Sequence, residues 1–246
     1  MHQYVDSIRS FRLRTLGCIA VAILLSVLPA SALSAQPKPA SSADISALYK
    51  SIAGDWVGVC EQSTDGQQAE NKYFHASIKE TAPNTYTSIF EYYKSDGATA
   101  TPIHIGDTTA VTTVQPDGAV MNEIEGSGTV LVDKQPKNQT HKLSEVLTAT
   151  GPASMAGRIT GKISVSGLPF GLGKNGRISD GKSSYSLKDG ALTISQTLKA
   201  GFKVLVCKKN FTIAANSTAR RGSDIAALMK ADRIAEKSGT KPVEGS

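Results

Sequence analysis

Few residues of this chain have both the type and the spacing that chemistry needs. Past the N-terminal region there are three histidines, His75, His104 and His141. Imidazole serves as a general base or a metal ligand, but none of the three has a partner histidine two or four positions away, so each reads as a partly exposed strand residue. No Gly-x-Ser-x-Gly elbow places a serine for nucleophilic attack. Glu123 and Glu125 alternate with Asn122 and Ile124, which puts the two carboxylates on one wet strand face rather than across a cleft from each other. Gly171-Leu172-Gly173-Lys174-Asn175-Gly176 fits a phosphate-loop spelling, yet no buried parallel strand precedes it and no helix follows. With Leu168, Pro169 and Phe170 it reads as a glycine-rich apolar loop. No catalytic group is identified and no cofactor or metal is expected. The strongest contact candidates are aromatic: Tyr86, Phe90 and Tyr92 share one strand face, and such a face either fills a barrel core or lines an apolar pocket.

The N-terminus reads as an export signal. Arg9, Arg12 and Arg14 precede an apolar run from Leu16 to Leu28, too short to span a bilayer comfortably, and Ala30-Ser31-Ala32 and Leu33-Ser34-Ala35 offer cleavage sites. Residues 1–35 are therefore expected to be removed, with the mature protein periplasmic or extracellular and without a membrane span. Their removal takes away three arginines and Asp6 and leaves +4 of the +6 net charge. A mild surplus spread along the chain favours solubility and does not mark a nucleic-acid groove. Two cysteines then remain, Cys60 and Cys207. In an oxidising compartment the default is one disulfide between them, which would contribute about 4–5 kcal/mol on a chain-entropy argument. Two buried free thiols are the alternative.

The elements that must position these residues are mostly strands. After a leader at 36–41, Ile45, Leu48, Tyr49 and Ile52 fall on one helical stripe within 42–53, with Ser41 and Asp44 placed as a capping pair and Gly54 at the helix end. The period then changes to two. Ile159, Gly161, Ile163 and Val165 alternate with polar residues, as do Leu192, Ile194, Gln196 and Leu198, the pattern of half-buried antiparallel strands. Noisier runs cover 55–61, 71–80, 84–93, 103–114, 118–125, 128–133, 140–149, 183–188 and 202–213. Asp-Gly pairs at 65–66, 96–97, 117–118, 180–181 and 189–190 supply turn chemistry. The pattern predicts an all-β fold, an antiparallel up-and-down β-barrel of about 8–10 strands over 42–213. A linker and a C-terminal helix follow at 214–237, with Ser223 as its cap and Ile225, Leu228 and Met229 on one face, then a loose tail at 238–246. A sandwich of the same strands remains open.

A short helix, Gly54-Asp55-Trp56 opening the first strand, consecutive strands and a C-terminal helix resemble the lipocalins and the wider calycin group. That resemblance implies a barrel whose tryptophan, Trp56, plugs the closed end under a basic residue from near the last strand. Lys208, Lys209, Arg220 and Arg221 are all available for that place. It also implies a small apolar ligand in the cavity, contacted here by Trp56, Tyr86, Phe90 and Tyr92. The sequence lacks the Thr-Asp-Tyr of the family's second motif, and its strand count is nearer ten than eight. A Cys60–Cys207 disulfide would staple the first strand to the last, although Cys60 shares parity with inward Trp56 and Cys207 with Lys203 and Lys209. The alternative function is an envelope module for a protein or glycan partner, with a solid core and an apolar surface near Leu168–Leu172.

Overall fold

The computed structural model describes residues 41–66, 68–96, 99–132, 135–166, 175–204 and 207–238. The expected export signal, most of the leader, the apolar loop at Leu168–Leu172 and most of the tail lie outside the described residues. The first element is helix α1 (Ser42–Ile52), started by a reciprocal capping box: Ser41 N–H donates to Asp44 Oδ2 at 2.9 Å and Ser41 Oγ accepts from Asp44 N–H at 3.3 Å. Ten strands follow: β1 (Gly54–Thr64), β2 (Glu70–Ala82), β3 (Thr85–Ser95), β4 (Pro102–Val114), β5 (Val120–Val132), β6 (Gln135–Gly151), β7 (Ser154–Val165), β8 (Gly176–Lys188), β9 (Ala191–Val204) and β10 (Cys207–Arg221). Helix α2 (Ile225–Ser238) ends the described chain.

Every strand pairs antiparallel with its neighbours in sequence, and β1 pairs with β10, so the sheet closes into a barrel with no free edge. Asp65 and Gly66 (φ 52° and 70°) turn β1 toward β2, and Asp189 and Gly190 (φ 51° and 75°) join β8 to β9, both with the positive angles of a tight hairpin. Asn84 (φ 59°) serves the β2–β3 turn. Side chains then alternate in and out. The inward face of β1 carries Trp56 and Cys60, and that of β3 carries Tyr86, Ser88, Phe90 and Tyr92.

One end of the barrel is plugged by α1. Ile45, Tyr49 and Ile52 turn into the barrel and join Trp56, Ile78, Val114, Val120 and Leu147 in a single buried cluster. On the outside, α2 covers Val57 and Tyr73 with Leu228 and Met229. The C-terminal helix thus docks on the wall. Its first turn is capped by Asp224, which accepts from Ala227 N–H at 2.9 Å, rather than by Ser223.

Four further sequence expectations change. The runs at 118–125 and 128–133 are one strand, β5, because Gly126 is part of the ladder. A Cβ there would meet Asp107 O at 2.5 Å and His141 Cε1 at 2.6 Å, so the glycine marks a close approach of neighbouring strands rather than a break. The expected linker at 214–222 is the second half of β10. Its inward residues, Ala215, Ser217 and Ala219, are too small to give an apolar signal, but its backbone is bonded on both sides, to β1 and β9. Asp180-Gly181 lies at an irregularity inside β8, not in a hairpin turn.

The fourth change concerns the disulfide. Cys60 is a free, buried thiol. The closing seam sets Cys60 opposite Ser217, whereas Cys207 starts β10 opposite Val204. Ten residues of strand separate Cys207 from that pairing point, roughly 33 Å at the rise of a β-strand. The Cys60–Cys207 bridge is therefore excluded by register, since a disulfide needs its Cα atoms within about 7 Å.

Candidate functional site

An eight-stranded barrel is just wide enough for its own side chains to fill, and barrel diameter grows with strand number. With ten strands and α1 filling one end, this barrel keeps an internal cavity of about 270 Å³ among the described residues. Its wall is mostly apolar: Phe74 from β2, Phe90 and Tyr92 from β3, Ile124 from β5, Leu143 from β6 and Leu198 from β9. The aromatic side forms a connected group, with Phe74 6.1 Å from Phe90 and 6.2 Å from Tyr92, and Phe90 stacked with Tyr92 at 6.4 Å between centroids. Leu48, Tyr49 and Ile52 of α1 form the inner end.

The four aromatic residues singled out from sequence separate here. Phe90 and Tyr92 line the cavity. Trp56 and Tyr86 lie in the plug, and neither belongs to the cavity wall. Trp56 is 1% exposed; its Nε1 donates to Ile52 O at 2.7 Å, and the Arg221 guanidinium lies 4.4 Å from its ring centre. Arg221 thus takes the place left open among the four basic residues. It also donates to Ala53 O at 2.5 Å and to Ser51 O, which ties the C-terminus of α1 to the end of β10. Gly54 (φ +122°) makes room for that guanidinium, which occupies the position a Cβ would take. Tyr86 is fully buried, its ring 5.2 Å from Tyr49.

Polar groups also enter the cavity, and the sequence reading had not grouped them. Glu145 on β6 is fully buried (0% exposed). It accepts from Asn122 Nδ2 at 2.5 Å and from the Tyr185 hydroxyl at 3.1 and 2.9 Å. Asn122 of β5 and Tyr185 of β8 both line the cavity, so the carboxylate sits directly behind its wall. Burial and the nearby Glu145 charge push the Tyr185 and Tyr49 phenols well above their ordinary range, so both are protonated donors at neutral pH. Asn122 is 5% exposed, and its Oδ1 has no hydrogen-bond partner among the described residues. The signal for this cluster was parity. Asn122 stands on the inward face between Val120 and Ile124, and Glu145 between Leu143 and Leu147, each a polar interruption of an apolar period-two run.

From β2, Lys72 lines the same cavity and donates to Gln62 Oε1 at 2.9 Å; burial lowers its pKa. Burial raises the Cys60 thiol, against the opposing effect of Ser217, which makes it a poor nucleophile at neutral pH. His141 lies 3.3 Å from Thr108 Oγ1 and is pushed toward its neutral form by burial. That distance is just beyond the usual reach of a nucleophile–base pair, and none of the hydrogen bonds found gives the imidazole a carboxylate to orient it. His75 and His104 lie away from the cavity, His75 between Glu91 (3.0 Å) and Asp55 (3.3 Å), and His104 2.7 Å from Asp107. Glu123 accepts from Ser144 Oγ at 2.9 Å and Glu125 pairs with Lys142, both on the outer face. Among the described residues no group of three or more His, Cys, Asp or Glu converges as a metal site, and no helix is long and apolar enough to cross a membrane.

No family model matches the chain, and no curated protein matches it. Among solved structures, it is similar to Rv2717c from M. tuberculosis at 16% sequence identity and a TM-score of 0.45. That alignment covers 72% of this chain and 98% of the other.

Proposed function

We propose that this is an exported carrier that holds a small, mainly apolar molecule inside its barrel. The observation behind this reading is the cavity of about 270 Å³ with an aromatic and aliphatic wall, closed at one end by α1. Water held against such a wall is replaced favourably by apolar surface, at about 25 cal/mol per Å² removed from water. Phe90 and Tyr92 make the aromatic contact in this reading, while Trp56 and Tyr86 keep the inner end shut. The test is native mass spectrometry of protein secreted by its host, combined with a cavity-filling variant. Ala110 faces the cavity from β4, so Ala110→Phe should abolish uptake of an apolar probe while the barrel still unfolds cooperatively. Unchanged uptake in that variant, or no bound molecule and no uptake by the parent protein, defeats the carrier reading.

A second reading is an envelope module for a protein or glycan. One observation favours it: Ile89, Val111, Met121 and Val146 are 40–47% exposed on the outer faces of β3 to β6, with Met121 paired to Val146 across the sheet. Retention of a defined envelope partner by the parent protein, lost in a Met121→Lys/Val146→Lys double variant, would support it.

A further inference from the structure

The inner end of the cavity is built for a particular head group. Asn122 lines the cavity beside Tyr49, and its Oδ1 is a buried acceptor with no hydrogen-bond partner among the described residues. Leaving such an atom unpaired is costly, so the site is complete only when something donates to it. Behind it, Glu145 is buried and held by two donors, Asn122 and Tyr185, the arrangement that suits an ionised carboxylate. No ion pair reaches it: among the described residues no Lys, Arg or His comes within 4.0 Å of its oxygens. A desolvated anion with hydrogen bonds but no counter-charge favours a cation over a neutral group, and repels an anion.

We propose that the cavity takes an aliphatic primary amine, its ammonium donating to Asn122 Oδ1 in the field of Glu145 and its chain lying along Phe90, Ile124 and Leu143. The inference rests on the carrier reading above. An ammonium carries three donors: one meets the orphaned oxygen, and the charge supplies what Glu145 lacks. An alcohol of the same length meets only the first need. A carboxylic acid meets neither, and the one lysine or arginine among the described residues that line the cavity is Lys72 on β2, three strands away from Asn122 on β5.

The test is isothermal titration of the full mature protein with four probes: octylamine, octan-1-ol, octanoate and naphthalene, the last a headless apolar molecule. The amine is expected to bind tightest, about tenfold better than the alcohol, with octanoate weakest. Glu145→Gln keeps the shape and removes the charge, so amine and alcohol affinities should converge. Asn122→Leu should weaken both relative to naphthalene. The readout is the ratio of affinities within one preparation, which partial unfolding of a variant does not move. Naphthalene uptake with no preference among heads overturns the amine proposal and leaves the carrier reading standing. Octanoate binding tightest also overturns it, and points to Lys72. Binding of none of the four removes both.

Discussion

The two halves of the barrel interior share one wall and differ in what fills them. At the plugged end, α1 inserts Ile45, Tyr49 and Ile52 among Trp56, Tyr86, Val120 and Leu147, each of which is no more than 7% exposed. Farther along the same strands, Phe90 and Tyr92 border the cavity, and Ile124 and Leu143 line it while belonging to a second buried cluster. The plug is apolar throughout, whereas the cavity half also turns Gln62, Lys72, Thr108, His141 and Gln196 inward, so composition already separates the two in part. The other difference is geometric: α1 fills the interior at one end, while farther along a second buried cluster of Ile124, Leu143, Ile159, Ile163 and Ile178 packs on the wall and leaves the cavity beside it. The Asn122–Glu145–Tyr185 group lies between the plug and the cavity, with Asn122 and Tyr185 lining the cavity and Glu145 fully buried.

Substitutions on either side should expose that division. The largest effect is expected from Trp56→Ala, which removes a fully buried indole, its hydrogen bond to Ile52 O and the surface under Arg221. Denaturant unfolding should show a loss of about 3–5 kcal/mol. Phe90→Ala is the matched change beside the cavity. Its ring already borders a void, so the loss should fall to about 1–2 kcal/mol. Equal losses at the two sites would erase the distinction. At the boundary, Glu145→Leu leaves the Asn122 amide and the Tyr185 hydroxyl without their acceptor and should cost about 1–3 kcal/mol.

A smaller effect is expected with pH. Burial holds the folded-state pKa of His141, beside the cavity, below the ordinary 6.5. Between that lowered value and 6.5 the unfolded chain binds more protons than the folded one, so this residue makes stability fall as the solution is acidified through that window. Midpoints measured from pH 7 downward should therefore decline less steeply in His141→Gln than in the parent. An identical slope in both would show that the imidazole is not held neutral. For the cysteines, alkylation of denatured, unreduced protein should label Cys60, and a recovered Cys60–Cys207 peptide would contradict the register of the closing seam.

Much of the fold was readable from local pattern. Ser41 and Asp44 announced the helix start, and Gly54 its end. Asp65-Gly66 and Asp189-Gly190 marked hairpins because few other pairs accept two positive φ angles. Shared parity put Tyr86, Phe90 and Tyr92 on one inward face, but it left open whether that face fills a core or lines a cavity, and the three divide between the two. What escaped was whatever depended on small or interrupted positions. β10 was cut short because Ala215, Ser217 and Ala219 carry little apolar signal, and β5 was split at Gly126. Asn122 and Glu145 were legible as polar residues on apolar parity, but nothing local says that they face each other.

By itself the sequence determined the alternation of the strands, their turns, the capped helix that precedes them and the antiparallel meander, because these rest on interactions between near neighbours in the chain. Only the tertiary structure decided the ring size, the register of β1 on β10, and the consequences of both. Those consequences are a free Cys60, Arg221 over Trp56, a plugged end with a cavity beside it, and a buried carboxylate shared by residues from β5, β6 and β8. The reason is that closure is a property of the whole sheet. Each hairpin constrains only its own two strands, while the cavity and the groups that meet in it exist only once the last strand finds the first.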